Sequence, residues 1–136
     1  MIRDSFKELQ KRGEGALIGY ITGGDPSPKI SQQIVETIAK EGADIIEIGI
    51  PFSDPIADGP TIQAASNRSL NAGTTPNEIF EIVKATKKSI ETPIALMTYY
   101  NILFKMGVQN FLKKASENHV DGLIIPDLPI EEATQY

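Results

Sequence analysis

Glu47 stands inside an otherwise apolar run, Ile45-Ile46-Glu47-Ile48-Gly49-Ile50, and Asp58 follows it in the loop Pro51-Phe52-Ser53-Asp54-Pro55-Ile56-Ala57-Asp58-Gly59-Pro60. An ionised carboxylate among isoleucines is costly unless it is paired. Such surroundings favour the protonated form and raise the pKa, as a general acid working near neutrality requires. Two plainer readings of Glu47 stay open: pairing with a distant Lys or Arg, or a side chain turned to water. Pro51, Pro55 and Pro60 restrict the loop and would hold a carboxylate in place. Aspartate beside Pro or Gly also favours turns for its own sake, so Asp54 reads as a turn residue or a partner contact. Asp58 with Glu47 makes a two-carboxylate arrangement in which environment assigns one as acid and the other as anion.

Other polar residues gather where strands are expected to end. Tyr20, Tyr99 and Tyr100 read as core packing or as a flat wall for a planar ligand. Asp25, Asn101 and Asp127 read as turn residues bonding to backbone, and His119 as a solvated group at a helix C-terminus. No Cys or His is placed to complete a transition-metal site, and Gly23-Gly24 lacks the spacing of a nucleotide-binding loop.

The elements that must position these residues show in the hydrophobic pattern. Apolar runs at 16–22, 44–49, 94–99 and 121–125 predict four buried strands. A short helix is expected over 3–12, stopped by Gly13. Ser27-Pro28 opens a second, with Ile30, Ile34, Val35 and Ile38 as its stripe. A third is expected over 61–72, and a fourth opens at Thr75-Pro76-Asn77-Glu78, which has capping-box spacing. Asn101 to Met106 reads as a connection, followed by a helix over 108–118. Strand and helix alternation predicts an α/β protein with a parallel sheet, in which ligands bind at the carboxyl ends of the strands.

The protein has 136 residues and a formal net charge of -5, with no cysteine. One domain over 1–136 is the expectation. No basic cluster supports a nucleic-acid partner, and no apolar run approaches the roughly 18 residues of a membrane span. With no leader pattern at its start, the protein is expected to be cytoplasmic.

Gly23-Gly24-Asp25-Pro26, the block Ile46 to Pro55 running into Ala57-Asp58-Gly59-Pro60-Thr61-Ile62-Gln63, then Tyr99-Tyr100-Asn101, Asp121-Gly122-Leu123 and Asp127-Leu128-Pro129 together resemble the tryptophan synthase alpha subunit family. The resemblance implies a (β/α)8 TIM barrel and retro-aldol cleavage of indole-3-glycerol phosphate to indole and glyceraldehyde 3-phosphate, with neither cofactor nor metal. It implies that Glu47 is the acid/base residue protonating the indole carbon. Asp58 would receive the indole N–H and stabilise the cation formed on protonation. Tyr20, Met97, Tyr99 and Ile124 would line the indole pocket, Tyr20 where the family often has Phe. Pro51, Asp54, Asn101, Phe104 and Pro129 would face the beta subunit.

A complete barrel takes eight strands and about 250 residues. Only the first four βα units are legible here, without the later strands on which the family binds phosphate. The expectation is therefore a half-barrel, cut short after its fourth strand and weakly active or inactive by itself. The alternative is a non-catalytic half-barrel whose open strand edges self-associate. Another sugar-phosphate barrel enzyme would be expected to carry a different second-strand motif.

Overall fold

The computed structural model describes residues 2–133. In order, the polypeptide forms α1 (Ile2–Arg12), β1 (Ile18–Thr22), α2 (Pro28–Lys40), β2 (Ile45–Gly49), α3 (Pro60–Asn71), α4 (Pro76–Thr86), β3 (Ile94–Met97), α5 (Tyr100–Met106), α6 (Val108–Glu117), β4 (Gly122–Ile124) and α7 (Ile130–Ala133). The strands make one sheet in the order β1-β2-β3-β4, every neighbouring pair parallel.

The local signals act as their chemistry requires. Ser27 Oγ accepts from the Ile30 N–H at 3.4 Å to cap α2, and Pro28 takes the first helical position, where its missing N–H is no loss. At α4 the capping box closes: the Glu78 N–H donates to Thr75 Oγ1 at 3.4 Å and the Thr75 N–H to Glu78 Oε2 at 2.6 Å. Gly13 ends α1 with a φ of 71°, a left-handed conformation that glycine adopts without strain.

Two expectations need correction. Each strand is shorter than its apolar run, because ladder pairing, not hydrophobicity, sets the ends. Thr98 still donates its N–H to Ile124 O at 2.9 Å, but Tyr99 already turns into the next element. That element is the second correction: 101–106 is not a connection but lies within helix α5. Asp127 Oδ1 accepts the Tyr100 N–H at 2.8 Å, satisfying an orphan donor of its first turn. Ile102 and Leu103 are buried beneath it.

Alternation divides the sheet. Ile46, Ile48, Ile94 and Leu96 point to the helices and are fully buried against Val35, Ile79, Val83 and Phe111. Phe80 and Phe111 meet edge to face there, with centroids 5.1 Å apart. On the other, concave face, register aligns Tyr20, Glu47, Ala95 and Gly122 in one row and Thr22, Gly49, Met97 and Ile124 in the next. Helix α1 closes part of this face. Its Ile2 stands where a side chain on Gly122 would reach, 2.9 Å from an ideal Cβ.

Candidate active site

Glu47 is half-buried on the concave face. It borders a hollow of about 260 Å³ that is otherwise apolar, walled by Ile18, Ile45, Ala95 and Ile124 from the sheet and by Ile2 and Phe6 from α1. Its pKa is raised, and the cause is desolvation by these walls. Among the described residues no side chain bonds or pairs with it, so the reading in which a Lys or Arg neutralises it fails. A carboxyl group left protonated to higher pH, at the middle of a parallel strand, is able to donate a proton.

Tyr20 is the cross-strand partner of Glu47. Its ring leans one row upward and covers Gly49, where an ideal Cβ would lie 3.0 Å from Tyr20 Cζ. Burial raises its pKa most; the Thr22 hydroxyl beside it acts in the opposite direction, and the nearby Asp58 and Glu47 carboxylates raise it further. The two carboxylates and this phenol therefore share one electrostatic neighbourhood.

Asp58 belongs to the loop leaving β2, and a residue of the next strand helps to hold that loop. Tyr99, 2 % exposed, receives the Ala57 N–H on its hydroxyl at 3.1 Å. The Asp58 carboxylate lies near enough to the same hydroxyl to act on its titration. Burial, then the charge of Asp58, raises the Tyr99 pKa, against the Ala57 N–H, which lowers it. Phe52 packs on the Tyr99 ring at 5.3 Å between centroids. From the other side Gln63 Nε2 donates to Asp58 O at 2.8 Å.

Of the expected pocket residues, Tyr20 and Tyr99 thus surround the carboxylates. Ile124 lines the hollow, and Met97 stands on the same face between Gly49 and Ile124. The expected partner-facing residues divide. Pro51, Asp54 and Asn101 line a separate hollow of about 520 Å³ with Phe52, Ile102 and Met106. Pro51 is itself buried, whereas Asp54 and Asn101 are exposed. Phe104 and Pro129 lie outside that hollow, both exposed, with Phe104 6.4 Å from the Tyr100 ring. A further hollow of about 460 Å³, between α4 and α6, mixes Glu78, Glu81 and Glu117 with Lys84 and Lys114, a solvated charge mosaic away from both carboxylates.

Turn residues fared unevenly. Asp127 bonds backbone as expected, but Asn101 sits in the first turn of a helix. Asp25 instead grips a side chain: Arg68 donates from Nε and Nη2 to its two oxygens at 2.9 and 2.7 Å. With Ser69 Oγ donating to Gly23 O at 2.7 Å and the Gly24 N–H to Ser31 Oγ at 3.0 Å, this moors the loop after β1 to α2 and α3. His119 holds an exposed left-handed position, φ 62°, just past α6. The residues missed from sequence are Thr22 and Gly49. Their signal was register, since both stand one row above the Tyr20–Glu47 pair.

The model of the family described as tryptophan synthase alpha chain matches residues 6–136. A tryptophan synthase alpha chain from Methanosarcina acetivorans is 51% identical over 132 residues, covering 97% of this protein and 48% of the relative. One from Methanocaldococcus jannaschii is also 51% identical, over 97% of this protein and 47% of its own length. Among solved structures, a tryptophan synthase subunit alpha from Legionella pneumophila superposes with a TM-score of 0.94 at 38% identity, over 98% of this protein and 52% of the other. A tryptophan synthase from Mycobacterium tuberculosis gives 0.93 at 34% identity, over 98% and 53%. The 136 residues span about half the length of the relatives they match.

Proposed function

The protein belongs to the tryptophan synthase alpha chain family, and we propose that it carries the acid/base half of a lyase site that splits indole-3-glycerol phosphate. Its four βα units are half of that TIM-barrel architecture. In the retro-aldol reaction Glu47 donates its proton to the indole carbon bearing the glycerol substituent. Asp58 accepts the indole N–H and offsets the positive charge that protonation leaves on the ring. The bond from that ring carbon to the glycerol substituent then breaks, its electron pair returns to the ring, and the Glu47 carboxylate, having given up its own proton, takes the hydroxyl proton of the departing carbon as the aldehyde forms. Indole and glyceraldehyde 3-phosphate result, and no step calls for a cofactor or a metal. Tyr20, Met97, Tyr99 and Ile124 flank the ring. We place the reaction in the cytoplasm; no described helix is long and apolar enough to cross a membrane.

The observation that carries this reading is the protonation-favouring hollow around Glu47, with the loop that carries Asp58 tied at Ala57 to the Tyr99 hydroxyl. The phosphate grip, which would supply binding energy for positioning, is expected outside these four units, so the 136 residues alone should release little indole. The test joins them to the C-terminal half of the Methanosarcina relative and follows indole release. The fusion is expected to be active, and Glu47→Gln to lower kcat by about 10²-fold or more. A folded, active fusion indifferent to Glu47→Gln would overturn the assignment. The hollow lined by Pro51, Asp54 and Asn101, with Phe104 and Pro129 beyond it, is the surface proposed to meet a beta subunit.

A second reading rests on the sheet itself. β1 and β4 are both edge strands, and Leu17, Ile18 and Ile124 are exposed at 60, 46 and 42 %. A second copy could cover them and turn the protein into a self-associating assembly unit. Sedimentation showing a folded monomer would dismiss this reading.

A further inference from the structure

We propose that Asp127 is a positioning residue for the site: from the loop after β4 it fixes the first peptide of α5, and through Tyr99 it sets the loop that carries Asp58. The inference rests on the role proposed above for Asp58 and adds a residue outside the expected pocket that serves it.

The links are direct bonds between neighbouring loops at the carboxyl ends of β2, β3 and β4. Leu128 donates its N–H to Ile125 O at 3.2 Å, a turn that brings the half-buried Asp127 to the end of β3. There Asp127 Oδ1 accepts the Tyr100 N–H at 2.8 Å. That N–H belongs to the peptide joining Tyr99 to Tyr100, whose carbonyl oxygen accepts the Ile102 N–H at 3.0 Å. Both polar atoms of the peptide are engaged, which fixes the backbone from which the Tyr99 side chain springs. The ring packs on Phe52, and its hydroxyl receives the Ala57 N–H at 3.1 Å. On the far side of Ala57, Asp58 is held at its carbonyl oxygen by Gln63. A carboxylate that served only to cap α5 would end its influence at that helix. Here the capped peptide begins at the residue that ties the next loop, so the three loops form one brace and a loss at Asp127 reaches Asp58. Small displacements of a group that acts on the reacting atoms are costly in rate.

The experiment compares amide exchange by NMR in the 136-residue protein and in its Asp127→Ala and Asp127→Asn variants. Asp127→Ala is expected to speed exchange at Tyr100 and also, by about fivefold or more, at Ala57, the scale of one net hydrogen bond. The Ile46 amide, bonded to Pro93 O, should keep its protection. Asp127→Asn keeps an oxygen acceptor and should preserve most of the protection at both loops. Should Asp127→Ala fail to fold, Asp127→Ser, with its shorter side chain, takes its place. Loss of protection at Tyr100 with Ala57 unchanged would make Asp127 a cap of α5 alone and overturn the proposal. In the fusion with the Methanosarcina C-terminal half, Asp127→Ala should lower kcat by about tenfold with KM little changed, and Asp127→Asn should recover most of it. An unchanged kcat beside an inactive Asp58→Asn fusion refutes the positioning role and leaves the reading of Asp58 standing. A fully active Asp58→Asn fusion, with Ala57 loosened as expected, upholds the brace and overturns that reading.

Discussion

The backbone N–H of Ala57 donates to the Tyr99 hydroxyl at 3.1 Å, a bond between residues 42 apart that ties the loop after β2 to the end of β3. Because the Asp58 carboxylate lies near the same hydroxyl, one phenol holds the loop beside the charge that the loop carries.

Tyr99→Phe keeps the ring packed on Phe52 and deletes the hydroxyl that receives the Ala57 N–H. It should destabilise the fold by about 1 kcal/mol in urea unfolding. Amide exchange at Ala57 should accelerate more than at β-strand positions. Unchanged protection at Ala57 would show that the loop does not depend on Tyr99.

Glu47 gives a pH signature of definite sign. Burial raises its pKa in the folded protein above the ordinary value of 4.5, so the folded state retains the proton to higher pH than the unfolded state. Its contribution to stability is complete below the unfolded pKa and is lost as pH rises through the folded pKa. Glu47→Gln should therefore flatten the stability profile above the ordinary carboxylate range and leave the variant the more stable protein near neutrality. Urea unfolding across that range, with a carboxyl ¹³C titration of Glu47, checks it; a parallel profile in the variant would contradict it.

Gly49→Ala forces a methyl group against the Tyr20 ring and should destabilise by about 1–3 kcal/mol. In a Tyr20→Ala background the same change should lose most of its effect. A double-mutant cycle measures the coupling. Strictly additive effects would mean that the two residues do not compete for that space.

The start of β4 depends on Asp121. Its Oδ2 accepts from Lys87 Nζ at 2.6 Å and from the Ile94 N–H at 2.9 Å, with both side chains of the ion pair under a fifth exposed. Asp121→Ala strands a partly buried ammonium and a backbone donor, and should lower stability by about 2–4 kcal/mol. Asp121→Asn, which keeps an acceptor, should lose less. Equal stabilities by denaturant titration would rule out this role.

Much of this was legible in the sequence because the relevant rules are local. Thr75 and Glu78 declared their helix start, and Ile46 and Ile48 declared a strand buried on its helix-facing side. Glu47 was conspicuous for breaking the same pattern. What the sequence did not disclose depends on partners brought from far away. α5 looked like a connection because its stabilising acceptor, Asp127, lies beyond the following helix and strand. Asp25 looked like a turn residue because Arg68 is 43 residues distant. Thr22 and Gly49 carry no motif; their meaning exists only once β1 and β2 are in register.

Ile2, set in the space over Gly122, has a consequence for the acid two strands away. Along the row Tyr20, Glu47, Ala95, Gly122 the side chains dwindle to nothing, leaving a wedge-shaped gap whose narrow-side-chain end Ile2 of α1 enters over Gly122. Ile2 and Phe6 of α1 wall the hollow that Glu47 borders, so moving this helix away would open that flank to water and return the carboxyl group toward ordinary acidity. The strength of the acid is thereby coupled to the docking of the first helix.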